Sequence, residues 1–258
     1  RIREGKQATI NKVTVVGNSK TNDHVILREL RTKPGQLFSR EDIIRSQRQL
    51  SQLGYFNAET LGVEPKPNPV DGTVDIVYTV EEKPSDQIEL SGGWGAGRIV
   101  GTLGVTFNNF SLRNVVKKGA WRPLPAGDGQ RLSIRAQSNG LYFQSYNFSF
   151  MEPWLGGNKP NALSISAYHS VQSNGIKIGE ANRQAIRITG VSLGLGTRMK
   201  WPDDYFLMQH EISYQNYILD NLLLLDLLKT YVILQTYYHI VYTYIQKLAL
   251  KLLLLWVK

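Results

Sequence analysis

Between residues 130 and 157 apolar and polar side chains alternate in two runs. Leu132, Ile134 and Ala136 share one parity, and Arg131, Ser133, Arg135 and Gln137 share the other. After Asn139-Gly140, the residues Tyr142, Tyr146, Phe148 and Phe150 oppose Ser145, Asn147 and Ser149. Strict alternation gives a strand one apolar and one polar face. Asn-Gly tolerates positive φ at both positions and predicts a tight type I′ hairpin. Each arm is about as long as the ~9–11 residues with which a tilted strand crosses a bilayer. The same alternation suits a soluble β-sandwich, whose strands favour roughly 5–6 residues.

Further alternating stretches predict strands at 86–95, 98–108, 162–172, 183–199 and 204–218, giving seven with the hairpin. Within 183–199 the apolar parity changes across Gly190, from Ile186 and Ile188 to Val191, Leu193 and Leu195, which predicts a β-bulge. Before residue 84 the period is different. Residues 10–16 read as a short β-branched strand closed by Gly17-Asn18, and 22–30 as a helix with Val25, Ile26 and Leu30 on one face. Pro34-Gly35 breaks that helix. Ser39 then caps a second one, with Asp42 three residues on and Gly54 just past its end. Strands follow at 55–63 and 73–82, with Pro65, Pro67, Pro69 and Asp71-Gly72 in the turn between them. The order is β-α-α-β-β.

Composition narrows the class. Hydrophobic residues make up 42% of 258, and the mean hydropathy of −0.25 excludes a helical membrane protein but not a barrel, because only alternate barrel residues face lipid. The absence of cysteine excludes thiol chemistry, disulfides and cysteine-based zinc sites. The net charge of +9 is dispersed, with no Lys/Arg run longer than two, and suits a solvated surface or polar lumen rather than a nucleic-acid partner. The chain begins Arg1-Ile2-Arg3, without initiator Met or leader, and reads as an internal or processed piece.

No enzymatic motif is found. Gly93-x-Gly95-x-Gly97 lacks the strand-to-helix context of a dinucleotide site. His24, His169, His210 and His239 lie far apart, and Asp203-Asp204 belongs to a turn after Trp201-Pro202. No catalytic residue, metal or cofactor is expected.

The N-terminal stretch resembles a POTRA domain in I-x-x-V-x-V-x-G-N (from Ile10), P-G-x-x-F-S (from Pro34), L-x-x-L-G-Y-F (from Leu50) and V-D-I-V-Y-T-V-E-E (from Val74). That resemblance implies a periplasmic domain which takes up unfolded outer-membrane proteins by adding an extended segment to a sheet edge. The candidate sheet-strand residues of that domain are Val74, Ile76, Tyr78 and Val80. The chain from Trp94 to Asn114, W-G-x-G-x-I-V-G-T-L-G-V-T-F-N-N-F-S-L-R-N, and F-S-F-M-E-P-W-L-G-G from Phe148 resemble the barrel start of the BamA family in its Bacteroidetes-type form. The family folds barrel proteins into the Gram-negative outer membrane without catalytic residues. Its first barrel strand pairs weakly with its last and templates incoming strands. Here Ile88, Leu90, Gly92, Gly93, Trp94 and Gly95 occupy that strand, and the glycines weaken its packing.

With the N-terminal module on the periplasmic side, the connections on that side hold Phe110, Trp121, Trp154, Trp201 and Tyr205, and the opposite connections hold no aromatic residue. Phe110, Trp154, Trp201 and Tyr205 are therefore expected at the lipid–water boundary. The resemblance implies unfolded outer-membrane protein clients, assembly lipoproteins and outer-membrane lipid as partners. A relative such as TamA, a two-partner secretion transporter, or a passive porin-like channel shares the architecture.

From Leu219 the chain contains no Gly, Pro or Arg, and both parities of 231–245 are apolar. These residues are expected to leave the strand series, as a frameshifted or misread end. The expected organisation is an α+β POTRA domain at 1–84, an incomplete antiparallel transmembrane β-barrel at 85–218, and an anomalous tail at 219–258.

Overall fold

The computed structural model describes residues 7–95, 98–121, 124–199, 201, 206–220 and 230–240. The chain divides into two compact units, one of Arg1–Gln87 with Phe107–Arg131 and one of Ile88–Thr106 with Leu132–Lys258.

The first unit contains β1 (Thr9–Val16), α1 (Asp23–Glu29), α2 (Arg40–Gln52), β2 (Gly62–Asn68) and β3 (Thr73–Thr79). Its sheet has the order β1-β3-β2, with β3 parallel to β1 and antiparallel to β2. The helix over α2 forms as its spacing predicts. The Ser39 hydroxyl accepts from the Asp42 N–H at 3.3 Å, and Ile43, Ser46 and Leu50 turn one stripe inward. These pack with Val25, Ile26, Phe56, Val74, Ile76, Tyr78 and Val80 into one core. A polar pair sits within it: Tyr78 Oη and Thr32 Oγ1 are 2.8 Å apart. Burial pushes the Tyr78 hydroxyl pKa up.

The second strand of this unit is displaced from its predicted place. Residues 55–61 lie outside it, and Pro65 and Pro67, expected in a turn, lie within β2. An unbroken register from Gly62 to Asn68 against β3 requires both prolines to turn their missing N–H away from β3. Edge position is what makes proline acceptable there.

The second unit carries a sheet of eight strands in consecutive order: β4 (Gln87–Gly95), β5 (Arg98–Phe110), β6 (Gln130–Asn139), β7 (Phe143–Glu152), β8 (Asn161–Ser173), β9 (Ala185–Arg198), β10 (Phe206–Asp220) and β11 (Thr230–Ile240). The sheet does not close, so β4 and β11 are its edges among the described residues. The hairpin between β6 and β7 turns through three residues, not two. Gly140 takes positive φ (59°), and the Tyr142 N–H donates to the Asn139 carbonyl at 3.3 Å.

Two further expectations are corrected. The pairing of β9 with β8 and β10 is continuous through Gly190, so there is no bulge. The parity change arises near the strand's start instead. There Ile186 and Ile188 lie on the polar side, opposite Gln172 and Ser170, and Arg187 lies on the other side, bonded to Asp220 at 2.7 Å. Gly190 has another reason to be glycine: a Cβ would stand 2.4 Å from the Tyr168 ring. The tail also does not leave the strand series at once. β10 runs on to Asp220, and residues 230–240 pair with it from Phe206↔Ile240 to Asn216↔Thr230. The open edge of β10 supplies unpaired backbone groups, and T-Y-V-I-L-Q-T-Y-Y-H-I is rich in β-branched and aromatic residues that favour a strand whatever its parity.

Candidate functional site

Register decides what each face of the large sheet presents. Across β7 to β10, Phe148, Ala167, Val191 and Tyr214 form one cross-strand row, and Phe150, Ile165, Leu193 and Ile212 form the next row on the same face. The alternate row is Ser149, Ser166, Ser192 and Ser213, in which the Ser166 and Ser192 hydroxyls are 2.7 Å apart. Leu193 remains 48% exposed and Ile212 51%. A sheet with one exposed apolar face and one serine-lined face, in strands of 10–15 residues, has the pattern of a barrel wall between lipid and a polar lumen.

The expected gate residues Ile88, Leu90, Gly92, Gly93 and Trp94 lie on the edge strand β4, and every described side chain from Gln87 to Trp94 is exposed. Ile88 is 78% exposed, Leu90 80% and Trp94 74%. Gly95 ends β4. Between these apolar positions Glu89 reaches Arg135 of β6 at 2.9 Å. The pair passes over Gly104 of β5, whose missing Cβ would lie 3.3 Å from Glu89. That ion pair fixes the polar face of the edge, so Ile88 and Leu90 take the other. The edge thus offers both unpaired backbone groups and a two-faced side-chain pattern to an added strand.

Val74, Ile76 and Tyr78 are not on an edge. They point from the central strand β3 into the core, at 6% exposure or less, with Val80 just beyond. The edges of this sheet are β1 and β2. On β2 the outward groups of Pro65 and Pro67 are carbonyls without amides, so an added strand would find acceptors and lack donors there. The start of β1 is covered: the Ile10 N–H donates to Gln36 O and the Gly35 N–H to Ile10 O, each at 2.8 Å.

Of the expected boundary aromatics, Trp201 is 80% exposed and Trp154 half-buried. Tyr205 lies outside the described residues. Phe110 is 6% exposed and bridges to Ala126 within the first unit, so it is a core side chain and not a lipid-facing one.

Sequence reasoning missed a cluster of polar residues in the first unit. The connection after β5 returns through Gly127-Asp128-Gly129 and docks on the α/β sandwich. Asp128 is 6% exposed. It accepts from Asn22 Nδ2 at 2.9 Å and from Ser111 Oγ at 2.6 Å, while its backbone carbonyl accepts from Arg28 Nη2 at 3.0 Å. Asn109 Nδ2 donates to Thr21 Oγ1 at 2.8 Å, and its Oδ1 accepts from the Gly129 N–H at 2.9 Å. Gly129 has φ +72°, and a Cβ there would meet Val25 at 2.9 Å and Tyr55 Oη at 3.1 Å. Beside this lock Glu82 accepts from the N–H groups of Ser19, Lys20 and Thr21 and from the Ser19 hydroxyl, at 2.6 to 3.1 Å. Burial raises its pKa, but the hydrogen bonds from Ser19, Thr21 and Lys20 outweigh that and lower it from 4.5 to about 2. The Gly-Asp-Gly triplet was the visible signal, since it marks a turn. Its partners a hundred residues away were not visible. Among the described residues no three potential metal ligands come together.

The comparisons with known proteins agree with this geometry. Residues 8–83 match the POTRA family described as surface antigen variable number repeat. The chain is 24% identical over 202 residues to outer membrane protein assembly factor BamA of Neisseria meningitidis serogroup B, covering 78% of this chain and 23% of that protein. It is 31% identical over 192 residues to BamA of Nitratidesulfovibrio vulgaris, covering 66% and 23%. It therefore spans about a quarter of the length of these relatives. The crystal structure of BamA from Haemophilus ducreyi lacking POTRA domains 1–3 superposes with a TM-score of 0.59 at 19% identity, over 91% of this chain and 43% of that one. Residues 8–83 thus match the POTRA family, and the chain is distantly similar to BamA proteins, with the fold of a POTRA domain followed by part of a barrel.

Proposed function

We propose that this chain acts in outer-membrane protein assembly, binding unfolded barrel proteins and passing them into the outer membrane. The observation that carries the reading is the β4 edge: an exposed strand, unpaired on one side among the described residues, in a sheet with one apolar and one polar face. An incoming strand satisfies its own backbone by pairing there, and in lipid that pairing is worth more than in water because no solvent competes for the hydrogen bonds. The glycines at 92 and 93 leave the edge with little side-chain packing to displace. In this reading the large sheet lies in an outer membrane, with Trp154 and Trp201 near its surface, the POTRA domain is periplasmic, and assembly lipoproteins are further partners.

The test places the whole chain in phospholipid vesicles with a urea-unfolded barrel client carrying one cysteine in its terminal strand. The chain itself has no cysteine, so Leu90→Cys supplies a unique partner. Faster client folding than in empty vesicles, read by heat-modifiable gel mobility, together with a disulfide to position 90, is the expected outcome. No acceleration and no disulfide would sink the reading.

A further inference from the structure

The connection that follows β5 carries an anomaly. Leu112 is 57% exposed, Val116 88% and Trp121 51%, although the segment is held by hydrogen bonds and is not a loose loop. The Val115 N–H donates to Leu112 O at 3.3 Å, the Lys117 N–H to Asn114 O at 3.0 Å and the Ala120 N–H to Lys117 O at 3.1 Å. The Trp121 indole Nε1 donates to Val115 O at 3.0 Å. At its base Ser111 is fully buried and bonded to Asp128. Ordered backbone with outward apolar side chains is a surface prepared for a partner.

Charge identifies that partner. From Ser111 to Trp121 the chain reads S-L-R-N-V-V-K-K-G-A-W, with three cations, Arg113, Lys117 and Lys118, all exposed, and no acidic residue. A tryptophan with aliphatic side chains among lysines fits the headgroup layer of an anionic bilayer. There the apolar groups enter the acyl boundary and the cations meet phosphates. The segment starts one residue after β5 ends, at the end of a strand whose sheet faces lipid in the reading above.

We propose that residues 112–121 form a second membrane contact, separate from the sheet: an interfacial foot that binds anionic phospholipid. It rests on the membrane placement of the sheet, and the experiment keeps the two apart. The cysteine-free full chain is labelled with one nitroxide at Val116→Cys, Phe148→Cys or Val70→Cys. It is reconstituted in vesicles of phosphatidylcholine, alone or mixed equally with phosphatidylglycerol, and probed by oxygen and by a water-soluble nickel chelate. The expected result is a lipid-exposed label at 148 in both vesicles, a water-exposed label at 70 in both, and a label at 116 that moves to interfacial depth only with phosphatidylglycerol. Reversing the charge by Lys117→Glu with Lys118→Glu should return label 116 to water. Two cations near such a surface correspond to about a 30-fold preference, at roughly 5-fold each.

If label 116 stays in water while 148 lies in lipid, the foot is overturned and the sheet reading survives. If both stay in water, the membrane reading itself falls. If label 116 is shielded only when a client protein is added, the surface is a protein site and the proposal is wrong.

Discussion

Replacing Glu82 by Gln tests how the POTRA domain holds the loop between β1 and α1. The carboxylate takes hydrogen bonds from the backbone N–H groups of residues 19, 20 and 21, and its pKa falls from 4.5 to about 2. Each tenfold change in proton affinity is worth ~1.4 kcal/mol, so these bonds favour the ionised form by at most about 3 kcal/mol. The group is only partly buried, so solvent screening reduces this to about 1–2 kcal/mol. The folded-state pKa is depressed, so this stabilisation is full above pH 4.5 and is lost as pH falls toward 2. Glutamine keeps one acceptor oxygen but points an NH2 group at backbone donors. Hydrogen exchange by mass spectrometry on the full chain, with peptides covering residues 17–22, reads the effect locally. At pH 7 protection of these amides should fall roughly 5- to 30-fold in Glu82→Gln. After correction for intrinsic exchange, the difference from wild type should shrink steadily below pH 4.5. Equal protection in both proteins at pH 7, or a difference that persists undiminished at pH 2.5, would refute the reasoning.

Asp128→Ala should loosen the return of the β5–β6 connection, because the buried Ser111 hydroxyl loses its acceptor at about 1–3 kcal/mol, while the exposed Asn22 amide keeps its bond to the Gly127 carbonyl; faster exchange in residues 107–115 and 124–131, with β7 to β9 unchanged, is the outcome to look for. On the large sheet, Leu193→Lys should impair vesicle insertion by about 2–4 kcal/mol, while its neighbour Ser192→Lys on the polar face should insert nearly as wild type; equal effects in flotation assays would remove the assignment of faces. Pro65→Val with Pro67→Val restores two outward N–H donors to β2 and should raise self-association or capture of extended peptides by the POTRA edge, detectable by sedimentation. Unchanged behaviour would mean that the prolines are not what protects that edge.

Much of this architecture was legible in the residues. Alternation through 130–157 set two faces, and Ser39 with Asp42 set a helix start. These are local properties, governed by side-chain period and backbone preference over a few residues. Elsewhere the tertiary partner decided. Pro65 and Pro67 read as turn residues because nothing local reveals that a strand will lie at an edge, where a missing N–H costs little. Phe110 read as a boundary aromatic because its bridge to Ala126 depends on a connection folding back. The tail read as a break in the strand series, yet residues 230–240 pair with the open edge of β10, which supplied a template that overrides parity. Val74, Ile76 and Tyr78 were recognisable as a strand, but their place at the centre of a sheet followed only from β1 and β2 flanking it. Asp128, Asn109 and Asn22 form a lock across about a hundred residues of chain. The sequence by itself determined which residues could form each element and which face each would turn inward. Only the tertiary structure decided which edges stay open, because an edge is defined by the absence of a neighbour, and absence leaves no mark on local sequence.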